Sequence, residues 1–212
     1  MTTPPPQQPA EPAHADRVFR STMGMAGGAL LIALGAFIGG DALVSGEGRT
    51  PWLALAALLL LVPLVVAFTF RPAVFANDDR LRIRNPFRTI VLPWSQVADV
   101  RAGYSSEVFT QDGKKYQLWA IPVSLRQRKK VARQAARSAA EDPHGQTSAT
   151  AAVDDKARFA PADQTVADLR EQAERCAGLP GAQGEIAVRW AYELLAPSLA
   201  GLVLTIVLLA TG

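Results

Sequence analysis

The sequence predicts an integral membrane protein that combines α-helical spans with a small antiparallel β barrel or sandwich closed by a C-terminal helix. Three observations lead to this fold class. Apolar residues are concentrated in three blocks of membrane-spanning length, at residues 22–40, 51–70 and 194–212. The water-facing stretch after the second block begins with alternating apolar and polar residues, which is typical of half-buried strands. That stretch ends in a basic segment with helical spacing of its apolar residues.

The chain begins with a polar, proline-rich segment, MTTPPPQQPAEPAHAD. Proline lacks a backbone donor, and the segment has almost no apolar area to bury, so residues 1–21 are predicted to form a disordered tail. The first apolar block follows without a charge. A cleaved signal peptide is the alternative to a spanning helix. The long polar lead and the lack of a small-x-small cleavage site before Asp41 favour the spanning helix.

A second apolar block follows the first after a short link, so residues 22–70 are predicted to form a transmembrane helical hairpin. The link DALVSGEGRT contains glycine and is short enough to require an antiparallel return. Trp52 is expected at one membrane interface, where indole is preferred. Pro63 removes one backbone donor and predicts a modest kink in the second helix.

Four glycines of the first span recur at a separation of four, which places small residues on one helix face. They are the candidate helix-packing residues Gly24, Gly28, Gly35 and Gly39. Such a face allows close backbone approach, either to the second span or to another copy of the protein. Glycine is also simply common in membrane helices, and this second interpretation is favoured over specific dimerisation.

The cations flanking the spans predict the orientation of the chain. Arg17 and Arg20 precede the first span, only Arg49 lies in the link, and Arg71 opens a strongly basic stretch after the second span. Positive residues are retained on the cytoplasmic side. The sequence therefore predicts a multi-pass protein of the cell membrane, with the N-terminus and the central domain cytoplasmic and the C-terminus outside.

Residues 71–140 are predicted to form the water-facing domain. In Arg80–Arg84 every second residue is aliphatic, so one face of this strand is buried and the other carries arginine. Asn77–Asp79 and Asn85–Phe87 have the composition of tight turns. The dipeptide Asp112-Gly113 between two strand-like runs predicts a hairpin. We expect about six short strands in this domain.

A basic segment follows these strands and is predicted to close the domain as a helix. It begins at Ser124, a suitable N-cap, and its apolar positions recur at helical spacing through Ala139. Trp94 and Trp119 both fall within strand-like apolar patterns and are expected in the core rather than in a ligand site.

The region after the domain differs from it in charge and composition. Residues 71–140 carry 14 Lys and Arg against 5 Asp and Glu (+9), whereas residues 141–185 carry 4 against 9 (−5). Residues 141–188 are predicted to be a flexible acidic linker with a short helix at 162–177. The apolar stripe of that helix either binds a partner or packs on its own domain. Residues 189–212 are predicted to form the third transmembrane helix.

The inventory of reactive side chains disfavours catalysis. The chain has one cysteine, Cys176, and two histidines, His14 and His144, all in polar tails or linkers. We predict no catalytic residues, no metal ligands and no cofactor. A transporter normally carries ionisable residues within its spans, and only Glu193 lies near one. A membrane-anchored binding or scaffold module is therefore favoured over a membrane enzyme or transporter.

The order of these features resembles a known family. Two spans, then RPAVFANDDRLRIRNPFRTIVLPWSQVADV, a DG hairpin and a basic helix are similar to the bacterial pleckstrin-homology-like (PH-like) proteins of actinobacteria, the low-molecular-weight antigen 6 group. The resemblance covers residues 71–137 and the preceding hairpin of spans. It implies a PH-like fold attached to the membrane, with no established enzymatic activity.

The resemblance also directs attention to possible ligands. PH domains that bind lipid gather cations around the first strand-to-strand loop, whereas this chain has the acidic Asn77–Asp79 there. Its basic surface consists instead of Arg80, Arg82, Arg84 and Arg88, with Arg126, Arg128, Lys129, Lys130 and Arg133 on the predicted helix. This surface is the candidate face for a protein partner or a second copy, with anionic lipid as the alternative and a merely solvated face as the simplest interpretation. We expect no nucleic-acid partner.

Overall fold

The computed structural model describes residues 15–123 and 161–211, together with Lys129 and Arg133. The helices are α1 (Thr22–Ser45), α2 (Thr50–Val65, continued by a π-helical turn Val66–Phe70), α3 (Pro161–Cys176) and α4 (Tyr192–Ala210). The strands are β1 (Arg17–Phe19), β2 (Ala73–Ala76), β3 (Arg80–Arg84), β4 (Arg88–Pro93), β5 (Val97–Ala102), β6 (Ser106–Thr110), β7 (Lys115–Gln117) and β8 (Ala187–Trp190).

Three of the helices are long and apolar enough to cross a membrane. They are Thr22–Ser45, Thr50–Phe70 and Tyr192–Ala210. The second of these contacts both of the others. The Arg49 guanidinium donates to the Thr211 hydroxyl at 3.0 Å, so the hairpin link and the end of the last helix lie at the same end of the helical bundle. Pro63 lies inside α2, and the helix changes to π-helical geometry three residues later.

The strands form two antiparallel sheets rather than a closed barrel. One sheet has five strands in the order β1-β2-β3-β4-β8, and the other has three in the order β5-β6-β7. The barrel alternative of the sequence prediction is therefore wrong. The sheets do not close into a barrel because the 3₁₀ turn Trp94–Gln96 takes the chain out of the first sheet before β5 begins. Within the described residues, no strand of one sheet is hydrogen-bonded to a strand of the other.

The turns predicted from composition are confirmed. The Asn77 side-chain oxygen accepts from the backbone N–H groups of Asp79 at 3.0 Å and Arg80 at 2.9 Å, closing the turn between β2 and β3. The Asn85 N–H donates to the Arg88 carbonyl at 2.9 Å. Gly113 has φ +79°, which a glycine adopts without strain, and this places the hairpin between β6 and β7 where the sequence predicts it.

The structure adds two strands that the sequence does not predict. The residues of β1 belong to the segment predicted to be a disordered tail, and β8 begins in the predicted linker. Each pairs with an edge of the central strands, β1 with β2 and β8 with β4. A strand of three or four residues is too short to show a period of two, and each of these directly precedes an apolar helix that dominates the local pattern.

One hydrophobic core joins both sheets and α3. The largest buried side chain is Trp94, whose indole N–H donates to the Asn77 carbonyl at 2.7 Å. The alternating residues Leu81 and Ile83 of β3 line the core, as the sequence predicts, and β4 adds Ile90 and Leu92. The core continues past residue 140, because α3 contributes Val166, Leu169, Ala173 and Cys176 to the same cluster.

Helix α3 packs on its own domain rather than presenting its apolar stripe to solvent. It contacts β5, where the Arg170 guanidinium donates to the Val100 carbonyl at 2.7 Å. The Gln172 amide donates to the Asn77 carbonyl at 2.9 Å. Of the two roles considered for this segment, packing on the domain is the one observed. Of the basic helix predicted from Ser124, only Lys129 and Arg133 are among the described residues, and residues 141–160 of the predicted linker lie outside them.

Trp119 is not a core residue, contrary to the sequence prediction. It follows β7, and 42% of it is exposed. Its ring lies 5.5 Å from that of Phe68 in the second candidate span, and Phe68 also contacts Phe87 at 5.3 Å. An apolar run in a short strand does not distinguish a residue that faces the core from one that faces a neighbouring helix.

Candidate functional site

The outer face of the five-stranded sheet collects arginines because of its register. Paired residues in antiparallel strands project from the same face. Leu81 and Ile83 face the core, so Arg80, Arg82 and Arg84 of β3 project outward. Arg84 is paired with Thr89, and Thr89 is paired with Arg189 of β8. One cross-strand row therefore carries an arginine on each side of a threonine.

Arg88 does not belong to this outer face. It lies two residues before the buried Ile90 and so has the same parity as the core residues of β4. Its guanidinium lies 5.7 Å from the centroid of the Tyr116 ring in the other sheet. The structure thus brings three of the four predicted face arginines together and separates the fourth. Of the predicted helix cations, Lys129 and Arg133 are exposed, and Arg126, Arg128 and Lys130 lie outside the described residues.

A recess of about 350 Å³ lies at the end of the outer face that adjoins the helices. We call it the arginine recess, and its lining residues are Arg71, Arg82, Arg84, Thr89, Arg189, Trp190 and Glu193. Four of these side chains are cationic and one is anionic. Arg71 directly follows the second candidate span, and Trp190 and Glu193 flank the first residue of the third. The recess is therefore located where two candidate spans meet the sheet.

Arg71 forms the base of the recess and is almost fully engaged. Its guanidinium donates to the Asn85 carbonyl at 3.2 Å, to the Glu193 carboxylate at 3.0 Å and to the Thr89 hydroxyl at 3.3 Å. Its side chain is 11% exposed. These three bonds tie the end of α2, the turn after β3 and the start of α4 to one another.

Arg82 occupies the far side of the recess from the spans. It donates to the Asp16 carboxylate at 3.0 Å, and its guanidinium stacks on Phe75 at 4.2 Å from the ring centroid. Phe75 is its cross-strand neighbour. A stacked and ion-paired guanidinium is held in one position. Arg82 is therefore a rigid wall of the recess with part of its charge already balanced.

Arg84 and Arg189 are the two recess cations with the fewest partners, although the Glu193 carboxylate partly offsets the charge of Arg84. Neither side chain makes a hydrogen bond or ion pair with a described residue. The pKa of Arg84 lies below its ordinary value, chiefly because of partial burial and then because of the nearby charges of Arg71, Arg20 and Arg82. Arginine stays protonated all the same. The recess therefore concentrates positive charge that an anion entering it would neutralise.

The turn between β2 and β3, where the family resemblance would place a lipid site, differs from the recess in charge and in accessibility. Asn77–Asp79 lies at the opposite end of β2 from the spans and is acidic. Gly181 packs so close to this turn that an added Cβ atom would meet the Asp79 carboxylate. This end of the sheet is thus both negatively charged and covered by the segment after α3.

The four glycines predicted for helix packing have different surroundings. A Cβ atom on Gly28 would collide with Thr69, and one on Gly39 would collide with Leu58, so both lie against the second span. Gly24 lies next to Ser21, the N-cap of α1. Gly35 has no neighbouring atom within 4 Å of a built Cβ. The stripe is therefore used within the hairpin at two positions.

Sequence reasoning found the outward arginines of β3 but missed Arg71, Arg189 and Glu193 as their neighbours. Each of the three lies at the boundary of an apolar block, where a charged residue is usually taken to indicate how a helix is oriented across the membrane. In the parts of the chain that the structure describes, no group of three or more His, Cys, Asp or Glu side chains is placed to hold a metal ion.

The comparison with protein families concerns the part of the chain that forms β2 to β7 and α3. Residues 71–175 match the model of a family described as bacterial PH domain. No curated protein and no solved structure matches the chain. The matched residues include Arg71, the strands β2 to β7 and α3 up to its last turn. They leave out β1, β8 and the recess residues Arg189, Trp190 and Glu193. Residues 71–175 are therefore similar to a bacterial PH domain, a type of domain that is generally a non-catalytic binding or scaffold module.

Proposed function

We propose that this protein is a non-enzymatic, membrane-anchored binding module that holds its PH domain in one orientation at the membrane surface. The observation that carries this proposal is the directness of the connections. Two residues separate β1 from α1, two separate Phe70 from β2, and one separates β8 from α4. With three such connections and the Arg71 bonds, the domain has no long tether on which to rotate. A fixed orientation suits a module that presents one face at a set height above the bilayer.

The charge distribution supports a cytoplasmic position for the domain. Arg17, Arg20, Arg71 and Arg189 lie on the domain side of the helices, whereas Arg49 lies at the other end. Positive residues near span ends remain in the cytoplasm. The proposed topology has the N-terminus and PH domain inside and both the hairpin link and the C-terminus outside. The proposed relationship to the actinobacterial low-molecular-weight antigen 6 group depends on the RLRIRNPFRTIVLPWSQV motif.

The proposed role of the outer face is to recruit an anionic partner. An acidic protein segment or a second copy of the chain is the first candidate, because Arg80 extends the cationic surface beyond the recess. Anionic lipid is the second candidate, and the specific observation that favours it is the position of the arginine recess at the span ends.

Topology is tested with single cysteines in a Cys176→Ala background and a membrane-impermeant maleimide on intact cells. Glu47→Cys lies in the hairpin link, and Tyr104→Cys lies on the domain, where the native side chain is 95% exposed. We expect Glu47→Cys to react in intact cells and Tyr104→Cys to react only after lysis. The reverse pattern would refute the proposed orientation, and equal labelling of both in intact cells would refute the proposed anchoring.

Recruitment is tested by crosslinking in intact membranes followed by mass spectrometry, comparing the wild-type chain with Arg82→Glu combined with Arg84→Glu. A Lys115→Glu, Arg175→Glu pair is the matched control, because both native side chains are exposed and lie outside the recess. Capture of a defined protein by wild type and control, with loss in the arginine variant, supports recruitment by the outer face. Capture that is the same in all three chains contradicts it.

A further inference from the structure

The arginine recess has the features of a site for a single phosphate group. Arg84 and Arg189 lie on either side of Thr89 in one row, and cross-strand neighbours have Cβ atoms about 4.5–5.5 Å apart. Two guanidinium groups on long side chains can therefore converge above the threonine. Guanidinium groups match phosphate oxygens with paired N–H donors, which is why arginine is preferred for this anion.

The fixed residues around this row complete the donor set. The Thr89 hydroxyl accepts from Arg71, so its own proton is free to be donated. The Glu193 carboxylate is bonded to Arg71 at 3.0 Å and acts on Arg84 through its charge, without a hydrogen bond or ion pair to it. Phe75 supports Arg82 at 4.2 Å and Arg84 at 6.0 Å from its ring centroid. The recess thus has a rigid base and wall, and two cations that make no hydrogen bond or ion pair with a described residue.

The place of the recess in the fold identifies the source of the phosphate. The recess is bounded by the residue that follows the second candidate span and by residues on either side of the start of the third. Trp190 lines it and is 54% exposed, which suits an indole at the headgroup level. Trp119 and Phe68 are also partly exposed next to each other at the domain–helix junction. An anion reaching the recess from this side comes from the membrane surface.

We propose that the arginine recess binds the phosphate of an anionic membrane lipid, held between Arg84 and Arg189 above Thr89. This inference extends the proposed function, on which it depends for the placement of the span ends in a bilayer. It differs from a general attraction to the anionic leaflet because it assigns one lipid to one site. It also differs from a lipid site in the acidic Asn77–Asp79 turn, which is at the opposite end of the sheet.

The test is a titration of the purified full-length chain in neutral detergent with short-chain phosphatidylglycerol, short-chain phosphatidylcholine and inorganic phosphate. Binding is followed by native mass spectrometry and calorimetry. We expect saturable binding of one phosphatidylglycerol, and affinity about tenfold or more lower in Arg84→Gln combined with Arg189→Gln. Lys115→Gln with Arg175→Gln removes the same charge elsewhere and is expected to bind as wild type.

Several outcomes would overturn the inference. If Lys115→Gln with Arg175→Gln weakened phosphatidylglycerol binding equally, the lipid would be held by the general positive charge of the protein and not by the recess. Equal affinity for phosphatidylcholine would remove the requirement for a net anionic lipid, and equal affinity for inorganic phosphate would assign the recess to a soluble anion. A chain that binds none of these but loses a crosslinked protein in the recess variant would make the recess a protein site.

Thr89→Val provides a second variant in case the double arginine substitution unfolds the domain. It keeps every charge and nearly the same shape, and it removes only the hydroxyl. We expect about threefold to tenfold weaker binding of phosphatidylglycerol. Unchanged binding in this variant would contradict the site. Because the titration is done in detergent, it separates failure of the lipid site from failure of the proposed topology, which the cysteine labelling reports.

Discussion

The two faces of the five-stranded sheet are built from the same few strands and have opposite chemical character. In β3, Leu81 and Ile83 are fully buried on the inner face, and the three arginines of the same strand are only partly covered on the outer face. The inner face is joined by the second sheet and α3, whereas the outer face ends in the arginine recess. Substitutions on the two faces should therefore separate the stability of the domain from its binding.

The largest effect is expected at the centre of the inner face. Trp94→Ala should destabilise the domain by about 3–5 kcal/mol, because it leaves a large cavity and removes the donor to the Asn77 carbonyl. Val91→Ala, on the outer face of β4, should cost much less. Hydrogen exchange of the amides of β3 and β4 in the full-length chain measures both. Equal effects of the two substitutions would contradict the assignment of the faces.

The second effect concerns the helix that covers the core. Leu169→Ala should cost about 2–5 kcal/mol, because Leu169 is 1% exposed within the common core. Glu171→Ala changes an exposed position of the same helix and should alter stability by about 0.5 kcal/mol or less. Faster hydrogen exchange in β5 is the expected signature of the first substitution. If β5 exchanges at the wild-type rate, α3 does not stabilise the sheets.

The outer face should tolerate charge reversal. Arg82→Glu combined with Arg84→Glu removes one partly exposed ion pair, and such pairs are worth about 1 kcal/mol or less. We expect the circular dichroism spectrum to be unchanged and the melting temperature to shift by a few degrees. Loss of the folded spectrum would show that the outer face is structural, and the comparison between the faces would fail.

The smallest expected effect is a pH dependence of the free energy of unfolding. It comes from the β6–β7 hairpin, which lies away from both faces of the five-stranded sheet. Hydrogen bonds from Lys114 and then from the Thr110 hydroxyl lower the pKa of Asp112 to about 2 from its ordinary 3.8. A lowered folded pKa means that the stabilisation is present above the ordinary value and is lost as pH falls towards 2. Asp112→Asn should flatten the stability curve between these values, whereas Glu47→Gln should not. Parallel curves for wild type and Asp112→Asn would exclude the contribution.

Sequence reasoning succeeded where one short segment determines its own structure. The alternation in Arg80–Arg84 sets which residues are buried, and Asn77 and Gly113 form their turns with near neighbours. It failed where a distant segment decides the outcome. Trp119 has the apolar neighbours of a core residue, but its ring faces Phe68 of a helix that lies about 50 positions earlier in the printed sequence.

The residues of the candidate site also divide into those that a local pattern predicts and those that only a distant segment brings together. The arginines of β3 are evident from their spacing, and the structure confirms that Arg80, Arg82 and Arg84 share a face. Their neighbours Arg71 and Arg189 are separated from them by a turn and by about 100 residues, respectively, so no local pattern links them. Only the pairing of β8 with β4 brings Arg189 to the row of Arg84.

The sequence by itself determined the three apolar blocks, the alternation of β3 and the turns. These properties depend on the composition and period of short segments, which are local. The tertiary structure decided that the sheets stay open, that α3 belongs to the core, and that four arginines meet where two candidate spans reach the sheet. These depend on strand pairing and helix packing between residues far apart in the chain, which no local pattern encodes.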